Sequence, residues 1–283
     1  MIRELIPYRD FERDEVFACI SGLIKSAGQI DESSLAESAS WYCDCAAKMA
    51  AAAERAGIAG NLWQTWLAML VAENENPFSL AHERRGPLCG TMREFAMRDF
   101  ETLFDCLHYD LRSIEEELRL GAAGLLDDFV PMTAGPVSFG RTAGAVIGEL
   151  AAAMAAADSP AGLYEAAVSF YREHGVGKFG LYGGFRWDAH AREIVPAIPL
   201  EDISLSDLIG YEEQKKAVVD NTTAFLDGRP ANNVLLYGEG GTGKSSTIKA
   251  LLNEYAPRGL RMIEVYKHQI NDLETILEEI KLR

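Results

Sequence analysis

The residues best equipped for chemistry lie between Gly238 and Ser246, in the order Gly-Glu-Gly-Gly-Thr-Gly-Lys-Ser-Ser. Gly238, Gly243, Lys244 and Ser245 satisfy the spacing G-x-x-x-x-G-K-[ST], a pattern whose parts each have a task at a phosphate. Glycines admit backbone dihedrals closed to other residues, so consecutive N–H groups of Gly238, Glu239, Gly240, Gly241, Thr242 and Gly243 can turn toward one anion. A helix opening after the loop adds its free N–H groups and the positive end of its dipole, through Lys244, Ser245 and Ser246. Lys244 is the expected catalytic residue, reaching the β- and γ-phosphates as a point charge. The Ser245 hydroxyl is the expected Mg²⁺ ligand.

Such a loop needs a strand before it and a helix after it. Asn233 leads into the β-forming run Val234-Leu235-Leu236-Tyr237, and Ser246 to Tyr255 is helix-compatible, stopping before Pro257. Upstream, Ser206 or Asp207 begins an ordered piece, and a helix is expected from about Glu212 to near Gly228 and Pro230. Downstream, Leu260 to Tyr266 reads as a second strand. Asn271 is placed to cap a last amphipathic helix carrying Leu273, Ile276, Leu277 and Ile280.

Residues 1–175 read as a helical domain, 176–205 as a glycine-aromatic connector and linker, and 206–283 as the start of a nucleotide-binding domain. In the first region Phe17, Ile20, Leu23 and Ile24 recur at helical spacing between Asp10 and Ala27. Asp31 is expected to cap a helix that Gly57 ends, and Asn61 to cap one carrying Trp63, Trp66, Leu67 and Leu70. Asn76-Pro77 and Gly86-Pro87 read as turns. Thr91 to Leu120 reads as one long bundle helix, with Phe100, Phe104, Leu107, Leu111, Ile114 and Leu118 as its seam and Glu115-Glu116-Glu117 as its solvated face. Leu125-Leu126-Asp127-Asp128 resembles a strand ending in metal-binding carboxylates, but no strand pattern precedes it. Ser159-Pro160 opens another helix, which Gly175 closes. Val176 to Trp187, rich in glycine and aromatics, reads as a short hairpin or extended connector, continued as a linker by Pro196 and Pro199.

A net charge of −16 argues against nonspecific contact with nucleic acid or an anionic membrane. Five cysteines, odd in number and sparse, suit a reducing, cytoplasmic compartment. None of Cys19, Cys43, Cys45, Cys89 and Cys106 has zinc-ligand spacing, so buried structural thiols are expected. Val137 to Ala157 is the strongest membrane candidate, yet it holds Arg141 and Glu149 and is dominated by alanine and glycine. A buried helix of a soluble domain is the expectation there.

From Leu208 onward the chain resembles the AAA+ branch of P-loop ATPases, and is most similar to a poorly characterised bacterial family of predicted AAA-type ATP-binding proteins. The resemblance rests on Leu208-Ile209-Gly210-Tyr211-Glu212, on Asn232 to Gly238 with Gly243-Lys244-Ser245, and on Gly259 to Val265; Phe179 to Trp187 resembles that family's lead-in. It implies an incomplete α/β P-loop domain after the helical one, with ATP and Mg²⁺ as cofactors and Ile209, Gly210 and Tyr211 beside the adenine. An AAA+ core continues into a third strand ending in Asp-Glu, sensor residues, an arginine finger and a helical lid. Arg283 precedes all of these, so the expectation is a piece of a longer ATPase. In such sheets the loop strand is flanked by the fourth and fifth strands, which leaves Asn233 to Tyr237 expected without ladder partners.

Two functions follow. In the first, the chain belongs to an oligomeric ATPase whose Mg-ATP binding and hydrolysis drive conformational work on an unknown protein partner, recruited by the helical domain. In the second, it is a helical interaction or regulatory module with a non-hydrolysing or vestigial nucleotide site. A GTPase or small-molecule kinase is a third class; the guanine-reading Asn-Lys-x-Asp is absent from the sequence.

Overall fold

A computed structural model describes residues 3–83, 90–132, 143–197 and 203–281. The chain divides into two compact units, one running to Leu181 and the other beginning at Tyr182.

Three helices of the first unit start in the same way. The Asp14 carboxylate accepts from Phe17 N at the head of α1 (Glu15–Lys25), the Asn61 amide oxygen from Gln64 N at the head of α3 (Leu62–Glu73), and the Ser159 hydroxyl from Gly162 N at the head of α8 (Pro160–His174). Each side chain satisfies an N–H that the helix leaves unpaired. Between the first two lies α2 (Leu35–Ala56), begun at Ser34 rather than Asp31 and closed by Gly57 at φ +67°. Asn76-Pro77 is not a free turn. Asn76 Oδ1 accepts from Phe78 N and Ser79 N, and Pro77 opens α4 (Pro77–Glu83).

The long helix expected from Thr91 to Leu120 is broken. α5 (Met92–Leu107) ends at His108, and α6 (Arg112–Glu117) restarts after Leu111. The apolar seam survives the break, with Phe100, Leu107, Leu111, Ile114 and Leu118 all buried. Two of the three glutamates expected on a solvated face are structural anchors. Glu115 is 1% exposed; its carboxylate accepts from the Tyr42 hydroxyl at 2.6 Å and from the amides of Gly124 and Leu125. Glu117 accepts from Gly28 N and Ile30 N, pinning the α1–α2 loop. Charge-assisted bonds of this kind offset the desolvation of a carboxylate, so the periodicity of polar residues misread that face.

α7 (Ala143–Ala155) and α9 (Gly177–Leu181) complete this unit. Its centre is α3, apolar on nearly all sides and in contact with α2, α5, α7, α8 and α9. Gly144 of α7 lies so close to α2 that a Cβ there would sit 1.9 Å from the Ala56 carbonyl oxygen. Around Phe78 gather Tyr8, Phe100, Tyr164 and Tyr171, with ring centroids 5.5–6.4 Å from it. Two of their polar ends are paired. The Tyr8 and Tyr171 hydroxyls are 2.8 Å apart, and Tyr171 donates to Val71 O. No helix among the described residues is long and apolar enough to cross a membrane. Residues 133–142, Gly86-Pro87 and Pro199 lie outside the described residues.

The second unit is built on a small sheet of order β2-β1-β3. β1 (Gly184–Asp188) and β2 (Glu193–Pro196) form an antiparallel hairpin; the Asp188 carboxylate accepts from His190 N and Ala191 N in its turn. Phe185 and Trp187 alternate with exposed Arg186, so one face of β1 is buried. β3 (Met262–Glu264) lies parallel to β1, pairing Gly184 with Met262 and Arg186 with Glu264. α10 (Glu212–Leu226) and α11 (Lys244–Tyr255) fall between β2 and β3 in sequence. α12 (Leu273–Lys281) follows a 3₁₀ turn at Lys267–Asp272 that contains the expected cap Asn271.

The run from Asn233 to Tyr237, expected as the loop strand, forms no regular element and pairs with nothing in this sheet. Leu235 is 82% and Tyr237 88% exposed. The sheet is completed instead by the glycine-aromatic hairpin, whose centre strand takes β3 as its neighbour.

Candidate phosphate-binding site

The glycine loop joins that run to α11. Gly238, Gly241 and Gly243 have φ of +142°, +78° and +81°, conformations strained for any residue with a Cβ. Among the described residues, no backbone carbonyl accepts from the N–H groups of residues 238–246. The first intrahelical bond is Thr247 N to Gly243 O at 2.8 Å, so the N–H groups of Lys244, Ser245 and Ser246 are the open donors of a twelve-residue helix. The loop is held by side chains. Thr242 Oγ1 donates to Glu239 O at 3.0 Å and Thr247 Oγ1 to Gly243 O at 2.8 Å.

Lys244 arches back over the loop. Its Nζ donates to Gly238 O at 3.0 Å, Glu239 O at 2.6 Å and Thr242 Oγ1 at 3.2 Å. These are neutral acceptors, and no carboxylate among the described residues pairs with the ammonium. Ser245 is exposed, and its hydroxyl has no hydrogen-bond partner among the described residues. The donor set fits a polyphosphate: many N–H groups, one ammonium and one free hydroxyl.

For a divalent cation the fit is thinner. No group of three His, Cys, Asp or Glu side chains that could hold a metal ion occurs among the described residues. Asp127, considered and set aside as a metal ligand, pairs with Arg112 at 2.7 Å and accepts from Asn61. Of the acidic residues after Ser245, Glu264 and Glu278 are exposed, and Glu279 accepts from Ile194 N at 3.2 Å.

Ile209, Gly210 and Tyr211 form the left-handed turn that opens α10, with Gly210 at φ +86° and Tyr211 at +56°. Ile209 is 96% exposed and Tyr211 61%. The chain just before them docks on the far end of α11, where Leu205 N donates to the Glu254 carboxylate and Asn253 Nδ2 to Ile203 O. Asn253 lies roughly 12 Å along the helix from Ser245 at 1.5 Å per residue. Among the described residues, no hydrogen bond joins Ile209, Gly210 or Tyr211 to the glycine loop.

Sequence reasoning missed the docking of residues 203–205 on α11. The one available signal was Ser204 with Asp207, a capping box that marks where that segment turns.

Residues 181–283 match a family described as a protein of unknown function, DUF815. The match spans the second unit and none of the helical unit except its last residue, Leu181. No curated protein and no solved structure matches the chain.

Proposed function

We propose that residues 238–246 bind the triphosphate of ATP with Mg²⁺, and that the chain is part of an AAA+-type ATPase acting on a protein partner recruited by its helical unit. One observation carries this reading. A run of backbone donors without backbone acceptors, shaped by three positive-φ glycines, opens onto the N-terminus of α11 beside Lys244. In this reading Lys244 exchanges its carbonyl partners for β- and γ-phosphate oxygens, and Ser245 supplies one Mg²⁺ ligand. Bound Mg²⁺ neutralises charge on the phosphates. Ile209 to Tyr211, exposed at the head of α10, would lie beside the adenine.

The test is a thermal-shift titration of the intact chain with ATP and Mg²⁺. A stabilisation is expected that Lys244→Ala abolishes, and an unchanged shift in that variant places the site elsewhere. A second reading has its own support. Lys244 is tied to its own loop, and the preceding strand has no ladder, as suits an interaction module with a vestigial nucleotide site. Calorimetry separates the two, because a folded chain that takes up no heat-detectable ATP supports the module.

A further inference from the structure

The α1–α2 hairpin brings together two thiols that the phosphate site does not use. Lys48 of α2 is ion-paired with Glu15 of α1, which sets the register of two helices running in opposite directions. One turn further along α1 lies Cys19, and one turn back along α2 lies Cys45. Residues three or four apart share a helix face, so the register that joins Glu15 to Lys48 also sets Cys19 against Cys45. Cys45 sits on the buried stripe formed by Tyr42, Met49 and Ala52, while Cys19 is half-buried and open to small solutes. Cys43, two residues away and exposed, projects from another side of α2.

The two sulfurs have opposite chemistry. Cys19 is made more acidic by the Cys45 thiol hydrogen-bonding to it, against the effects of burial and Asp44, with a smaller contribution from the Lys48 ammonium. Cys45 is pushed strongly upward by the same bond and by its burial. A half-buried sulfur whose pKa is lowered, beside a buried one whose pKa is raised, matches an attacking and a resolving thiol.

We propose that Cys19 and Cys45 form a peroxide-sensitive dithiol that closes into a disulfide across the α1–α2 hairpin. The Cys19 thiolate attacks one oxygen of a hydroperoxide. The O–O bond breaks, the other oxygen leaves and takes up a proton, and Cys19 becomes a sulfenic acid. The Cys45 sulfur then attacks the Cys19 sulfur, its proton going to the departing hydroxide, which leaves as water. The two electrons lost by the thiols are those that reduce the peroxide, and a small dithiol reverses the bridge by exchange.

The experiment treats the intact, folded chain with hydrogen peroxide, blocks remaining thiols with an alkylating agent and maps the peptides by mass. The titre is expected to fall from five thiols to three, with one cross-linked Cys19–Cys45 peptide lacking two hydrogens and restored by dithiothreitol. Cys43→Ser should leave that bridge intact. In Cys45→Ala the sulfenic acid formed on Cys19 has no resolving partner, so dimedone should label Cys19 after peroxide treatment. A first product on Cys43, a disulfide-linked dimer as the main species, or five free thiols after treatment would overturn the proposal. The map of the unmodified chain decides this even if a variant folds poorly.

Discussion

The helical unit and the sheet unit bury their apolar residues to very different extents. In the first, α3 buries seven of its twelve residues, and aromatic rings from four segments meet in the cluster of Phe78. In the second, α10 buries only Val218 and Ala224 over fifteen residues, and α12 only Ile276. Ile209, Phe225, Leu235 and Tyr237 stand more than 60% exposed there. The contrast teaches that apolar content does not by itself make a core. A helix or strand contributes only when a neighbour covers its face, and among the described residues the second unit has three short strands and three α-helices for this purpose.

The sharpest test of this contrast is Phe100→Ala. Removing a fully buried ring from the aromatic cluster should cost the helical unit about 4 kcal/mol, read as a drop in the denaturant midpoint. A loss below about 1 kcal/mol would mean the cluster is looser than its burial implies.

Acid should separate the units next. His82 is 4% exposed against Phe78, and its Nδ1 has no hydrogen-bond partner among the described residues. Burial, with Arg172 adding, holds its imidazolium pKa down to about 4. The unfolded imidazole takes its proton near 6.5, so His82 does not weaken the fold above that pH. As pH falls from 6.5 toward 4 the unfolded state gains the proton first, and up to about 3 kcal/mol is lost. His82→Phe should flatten the pH dependence of unfolding across that window; an unchanged slope would show that His82 is not its source.

Gly144→Ala probes close packing rather than titration. With a Cβ 1.9 Å from the Ala56 carbonyl, α7 must shift away from α2, at about 2 kcal/mol. A thermal melt equal to that of the unsubstituted chain would contradict this close approach. The smallest effect is expected at Leu235→Ala in the sheet unit, within about 0.5 kcal/mol, because its side chain meets water already. Hydrogen exchange sharpens the same point: amides of residues 233–237 should exchange with little protection while those in the middle of α5 exchange slowly.

Much of the helical unit was legible because capping is local chemistry. Asn61, Ser159, Gly57 and Gly175 mark helix ends through their own side chains or dihedrals, and the structure places ends there. The break between α5 and α6 was not legible, since the apolar seam runs through it without interruption. Glu115 and Glu117 were misread because their partners, Tyr42 and the amides of Gly28, Ile30, Gly124 and Leu125, come from other segments. At the candidate site the glycine loop and the helix after it were legible from spacing. The reach of Lys244 back to Gly238 and Glu239 was not.

By itself the sequence determined the helix ends at Gly57, Asn61, Ser159 and Gly175, the acidic balance and the glycine spacing of Gly238–Ser246, because each is read from residue types and their local order. Tertiary structure alone decided that β1 of the glycine-aromatic hairpin pairs with β3 and that Asn233 to Tyr237 remains outside the sheet. Strand pairing and helix register join residues far apart in the chain. Their free energy comes from which faces meet, and the order of residues along one segment does not contain that.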